Sequence, residues 1–333
     1  MKGTQVKSGR LEFISYLRVF GMVCILLCHY VQEIPNGLVQ STSQIFNIGV
    51  PLFFIISGYC FGLQGEIKSA HKWYLKRLKR IYIPYEIFLL MYFIFFLILG
   101  KKIFWRDWGM YALGLQGDYF RIPGIEQAWF ITPLIVCYLL TPLISLSVSK
   151  LKDASKSVKL IIAAVLAVAY IAVCFVPNNY FYIITSPIVF YIAAYVWGRN
   201  YKKIRPEKKT AVISIFAVFA AFAVRLTAHY FLNDTLIYNR LISNMLHYIV
   251  AFGIFVVFEY LFFDAERNRF INAVESISFE VYLTHYLFLR GAYLFTYLTP
   301  YWAVNLLLAA AAAFISATAV HLISTFIQKK IIR

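Results

Sequence analysis

Residues 11–31 read LEFISYLRVFGMVCILLCHYV, an apolar run that carries Arg18 and His29 inside it. At about 100° and 1.5 Å per residue, the eleven positions between them place both side chains on nearly one helix face, roughly 16 Å apart along the axis. A cation and an imidazole within one membrane span are costly to hold in lipid, so they are expected to line an interior cavity. The remainder of the chain then reads as a container for that cavity.

Composition supports a membrane class. Of 333 residues, 61% are hydrophobic and 14% charged, with a mean hydropathy of +0.71, which excludes an ordinary soluble domain. One polytopic transmembrane domain over 1–333, with no appended soluble domain, accounts for the length. A net charge of +17 would suggest nucleic acid in a soluble protein. Here the basic residues fall between apolar runs, so membrane lipids are the expected contacts and nucleic acid is not.

Runs of about 20 apolar residues predict an all-α protein of about ten transmembrane helices. They cover 12–32, 45–63, 81–99, 127–148, 159–176, 180–198, 211–232, 241–263, 275–296 and 301–328. Pro177, Asn178 and Asn179 predict a tight turn between the fifth and sixth. With the N-terminus inside, 24 of the 32 Lys and Arg lie in or at the edge of inside segments, 6 outside, and Arg18 and Arg225 within spans. That bias predicts both termini in the cytoplasm, with Arg18 near the inner end of its span and His29 near the outer end. No small-x-small cleavage site follows the first run, which predicts an uncleaved span. The outside segment 100–126, with Trp105, Trp108 and Tyr111, reads as an aromatic belt or as a rim for an acceptor molecule. The five cysteines all lie in apolar runs and read as small buried hydrophobes, and no His, Asp or Glu spacing calls for a metal.

The second run, NIGVPLFFIISGYCFGL, holds Gly49, Pro51 and the pair Ser57-Gly58, which permit bending and close backbone approach. The segment after it clusters Lys68, Lys72, Lys76, Arg77, Lys79 and Arg80 on the inner side. On charge alone this is a topology anchor or an anionic-lipid contact. Alternatively, Arg77 and Arg80, at i, i+3 on one helical face, can grip a nucleotide phosphate.

Four features together resemble the membrane acyltransferase family 3, the multi-spanning O-acyltransferases of bacterial surface sugars. They are RLEFISYLRVFGMVCILLCH with its Arg-x10-His spacing, VPLFFIISGY, the RLKR that follows, and SISFEVYLTH near the end. AWFITPLIVCYLL at 128–140 fits the family's fourth span. Two departures stand out. Many members carry an acid three residues before the arginine, where this chain has Ser15, and no hydrolase-like domain follows the tenth span. The resemblance implies a bacterial cytoplasmic (inner) membrane protein. It would transfer an acyl group, most often acetyl, from cytoplasmic acetyl-CoA or another acyl-CoA. The acceptor would be a hydroxyl of a surface polysaccharide or of its lipid-linked precursor on the outer side. Arg77 and Arg80, with Lys76 and Ser57 nearby, are then the donor-binding candidates, and Arg18 holds the donor near its entrance. His29 is either a general base toward the acceptor hydroxyl or forms an acyl-histidine.

Several polar residues stay open to two readings. Glu33, one turn beyond His29, can orient the imidazole or be solvated. Arg225, His229 and His247 can form the acceptor end of the cavity or bond helix to helix. Glu86, Glu280 and His285 read as structural first, and Trp129 as an interface anchor or a cavity wall. A transporter or flippase of a polyprenyl-linked sugar is the rival class. It lacks support from any internal repeat.

Overall fold

The computed structural model describes residues 11–116, 122–232, 235–290 and 295–331. Parts of the segment 100–126 and of the run 275–296, and the basic residues Lys2, Lys7, Arg10 and Arg333, lie outside these. The described residues form helices and turns without a strand. Among the described residues, nine stretches are long and apolar enough to cross a membrane. The long helices are α1 (Glu12–Gln32), α2 (Gly49–Leu63), α3 (Ala70–Ile98), α4 (Ile131–Lys150), α5 (Lys156–Cys174), α6 (Asn179–Arg199), α7 (Lys208–Leu232) and α8 (Ser243–Leu261). Three short helices follow, α9 (Arg269–Ser276), α10 (Ser278–Thr284) and α11 (Leu287–Arg290), and the long α12 (Trp302–Ile331) closes the bundle.

Small residues set the tightest packing. A Cβ on Gly49 would lie 2.5 Å from the carbonyl of Gly21, so α1 and α2 touch backbone to backbone. A Cβ on Gly58, Gly62 or Gly198 would likewise fall closer than 3.0 Å to backbone across the α2–α6 seam. In a membrane, where lipid competes for apolar contacts, such close approach supplies the dispersion energy that holds helices together. Around this seam Tyr59 packs edge to face on Phe255 and on Trp197, with Tyr59 and Phe255 ring centroids 4.7 Å apart, and Trp197 lies tilted against Phe255. The outward faces of α5 and α7 are largely exposed, as lipid-facing helices are.

Local chemistry fixes the boundaries. Asn178 caps α6, its side chain accepting from the amide of Phe181 at 2.9 Å, which makes the turn expected at 177–179. The RLKR segment, read as part of a loop, is instead helical. Ser69 caps α3 from Ala70 onward, so the basic residues between 72 and 80 occupy its opening turns, and the helix begins eleven residues before the apolar run. In the segment 100–126, Trp108 is buried against Phe93 and Phe96, while Trp105 is exposed.

The run 275–296 does not form one helix. The helix breaks at 277 and again at 285–286, and a side chain occupies a carbonyl that the second break leaves free. The imidazole Nδ1 of His285 bonds the carbonyl of Tyr282 at 2.7 Å, an acceptor that a continued helix would offer to the amide of Tyr286. The pieces nonetheless run beside α1 in the same direction. Arg18 meets Glu275, His29 meets His285, and Glu33 meets Arg290, in order along both.

Candidate active site

The Arg18 end of α1 opens on a cavity of about 690 Å³. One wall is basic, with Arg18 from α1 and Arg77 and Arg80 from the start of α3. Arg77 is held by the Gln64 side chain at 2.5 Å, and its guanidinium lies 4.9 Å above the Phe61 ring. Ser57 lines the same space from α2. Lys76 does not; it is exposed on α3, facing away from the cavity lining. Arg77 and Arg80, three residues apart on α3, both reach the cavity, whereas Lys76 is left out of its lining.

The opposite wall comes from the end of the chain. Glu275 accepts from the Arg18 guanidinium at 2.6 Å, and its side chain is almost fully buried. This carboxylate on a distant helix stands where no acid is available at position 15, which Ser15 occupies. Glu280 pairs with His321 Nδ1 at 3.0 Å, and Ser324, Thr325 and Gln328 continue the polar wall along α12. Sequence reasoning placed none of these α12 residues at a site. The signal was present, because positions 321, 324, 325 and 328 repeat at helical spacing inside an otherwise apolar span.

His29 lies elsewhere. The expectation that Arg18 and His29 share one cavity is corrected here: His29 lines a second, narrow space of about 20 Å³, with Cys28, Gln127 and Trp129. Such a volume holds about one water molecule. Tyr282 lines both spaces. Its ring packs 5.4 Å from that of Phe130, and its hydroxyl donates to the Gln127 carbonyl. The partition arises because α10 carries a large aromatic, fixed at both ends, into the gap between α1 and the start of α4.

Around His29 the neighbours are aromatic and imidazole. The His285 ring centroid is 5.2 Å away and that of Tyr286 5.1 Å. Glu33 does not orient His29; it accepts from Arg290 Nε at 2.6 Å. Arg225 donates to Gln44 O at 2.8 Å and to Ser243 Oγ at 3.3 Å, tying α7 to α8 and to the turn before α2. His229 packs against Tyr238, and neither it, Arg225 nor His247 lines the His29 space. Trp129 is a cavity wall.

A polytopic helical bundle thus encloses a chamber with one basic wall that ends at an aromatic partition, with two histidines behind it. The chain belongs to the acyltransferase family whose model, described as an acyltransferase domain, matches residues 11–325. It is therefore a multi-pass membrane acyltransferase. No curated protein and no solved structure matches the chain.

Proposed function

We propose that the protein moves an acyl group, acetyl in the first instance, from acyl-CoA to a hydroxyl of a glycan. The donor enters from the cytoplasm and the acceptor, a surface polysaccharide or its lipid-linked precursor, arrives on the outer side of a bacterial cytoplasmic membrane. The observation that carries this reading is the order of groups along α1: a three-arginine chamber, a partition at Tyr282, and His29 beyond it. Guanidinium groups bind phosphates with paired, charge-assisted hydrogen bonds, so Arg77 and Arg80 suit the nucleotide end of CoA. The chamber falls in the range of about 300–1,000 Å³ that encloses drug-sized ligands. A long, uncharged pantetheine arm then extends to Tyr282, whose side chain has to swing away from the Gln127 carbonyl for the thioester to reach His29.

His29 acts as general base. The acceptor hydroxyl oxygen attacks the thioester carbonyl as its proton passes to the imidazole. A C–O bond forms, the C–S bond breaks, and the leaving thiolate takes the proton back from the imidazolium. The products are the acyl ester and free CoA, and the histidine is restored.

The test is thioester turnover by the purified protein in detergent or liposomes. His29→Ala is expected to abolish turnover while CoA binding persists. The double change Arg77→Ala, Arg80→Ala is expected to weaken CoA binding at least tenfold. Turnover unchanged in His29→Ala would remove His29 from the reaction, and no CoA binding by the wild type would remove the donor.

A further inference from the structure

The ring of His285 is wholly buried and half committed. Its relative exposure is 0%. Nδ1 bonds the carbonyl of Tyr282 at 2.7 Å, and because a carbonyl only accepts, Nδ1 must carry the proton. In the neutral ring this leaves Nε2 with a bare lone pair. That nitrogen is buried without a hydrogen-bond partner among the described residues. A buried acceptor left unpaired is costly, so an unfilled lone pair at a fixed place calls for a partner. The ring beside it is that of His29, 5.2 Å between centroids. The charged groups at this end, Arg290 and Glu33, are bonded to each other and compete for neither imidazole.

We propose that His285 is the positioning residue of His29: its bare Nε2 accepts the N–H of the His29 ring once the donor and acceptor substrates close the site. This rests on the reading of His29 as general base. In that arrangement the second nitrogen of His29 is necessarily unprotonated and faces the hydroxyl. The N–H acceptor also raises the basicity of the ring, as acceptors behind metal-bound histidines do. Catalytic hydrogen bonds are commonly long before substrate binds, and at 5.2 Å between ring centroids this one is left to be made when the substrates arrive. The sequence of dependence runs backward through the fold. The break in the helix after Thr284 frees the Tyr282 carbonyl, that carbonyl selects the His285 tautomer, and the tautomer selects that of His29.

Two substitutions separate this role from packing. His285→Asn keeps an N–H for the Tyr282 carbonyl but removes the acceptor, whereas His285→Gln places an amide oxygen near the Nε2 position. His285→Asn is expected to lower kcat by about 10- to 100-fold with KM for acetyl-CoA unchanged, and His285→Gln to recover most of the loss. Carbethoxylation of His29 by diethyl pyrocarbonate, read by mass spectrometry, is expected to slow severalfold in His285→Asn. A third measurement needs no change at 285. In protein labelled with 15N-histidine and loaded with CoA, His285 is expected to show a protonated Nδ1 and an unprotonated Nε2 whose resonance moves in His29→Ala. Wild-type kcat and His29 reactivity in His285→Asn, or a protonated Nε2 at His285, would overturn the proposal. If His29→Ala retains full turnover, the general-base reading fails, while the carbethoxylation and NMR results still report whether His285 sets the His29 ring.

Discussion

The contact between α1 and α2 offers the sharpest test of the packing argument. Gly49→Ala adds one methyl group where its Cβ would lie 2.5 Å from both Gly21 O and Ile25 Cγ1, and 3.2 Å from Ile25 N. An ordinary contact begins at 3.4 Å, so the helices must part by about 0.9 Å or the Ile25 side chain and the backbone must both yield. Overpacking of this kind costs about 1–3 kcal/mol. Replacing glycine by alanine within a helix returns up to about 1 kcal/mol. The net expectation is a loss of about 0–3 kcal/mol, centred on about 1.5 kcal/mol, or a fall in melting temperature of roughly 3–6 °C at about 2–4 °C per kcal/mol. Gly109→Ala is the matched control, since its Cβ meets nothing within 4 Å on the exposed face of the helix Trp105–Ala112. It isolates the propensity gain and is expected to leave the melting temperature unchanged or slightly raised. The assay is thermal unfolding in detergent, followed by intrinsic fluorescence. Gly49 also lines the His29 space beside Ile25 and Val50, so acyl transfer should fall further than stability alone requires. Gly49→Ala melting at or above wild type, with Gly109→Ala behaving as expected, would refute the claim that backbone contact positions α2 against α1.

Two further substitutions probe the ion pairs along α1. Glu275→Gln leaves the Arg18 guanidinium without its carboxylate; with Glu275 buried and Arg18 part-exposed, a loss of about 1–3 kcal/mol is expected in thermal unfolding. CoA affinity by calorimetry should hold or rise, because the carboxylate competes with phosphate for Arg18; a tenfold weakening would show that Glu275 itself contacts the donor. Glu33→Gln is expected to cost under about 1 kcal/mol, since its partner Arg290 is half-exposed, and to retain acyl transfer within a few-fold of wild type. A loss of activity above tenfold would mean that Glu33 acts on His29 after all.

Much of the bundle follows from patterns local in the chain. Hydropathy and the scarcity of charge are properties of short windows, so the membrane class and most spans were legible. So was the shared face of Arg77 and Arg80, because i, i+3 spacing is a property of one helix. The basic turns of α3 were placed in a loop because charge interrupts hydropathy without interrupting a helix that Ser69 caps. The split of 275–296 was hidden for the opposite reason: its hydropathy is continuous, it lacks Pro, and its one glycine, Gly291, lies beyond the break at 285–286, where the His285 imidazole takes the Tyr282 carbonyl.

By itself the sequence determined that Arg18 and His29 lie on one face of a membrane helix about three turns apart, and that Arg77 and Arg80 point together, because helical geometry makes these consequences of residue number. Only the tertiary structure decided what those faces meet. Glu275 on Arg18, Arg290 on Glu33, Tyr282 between the two spaces and His285 behind His29 all come from one broken segment some 250 residues away. Contacts at that separation depend on how helices pack and in what register, which small residues such as Gly21 and Gly49 set through backbone approach and which no local pattern records.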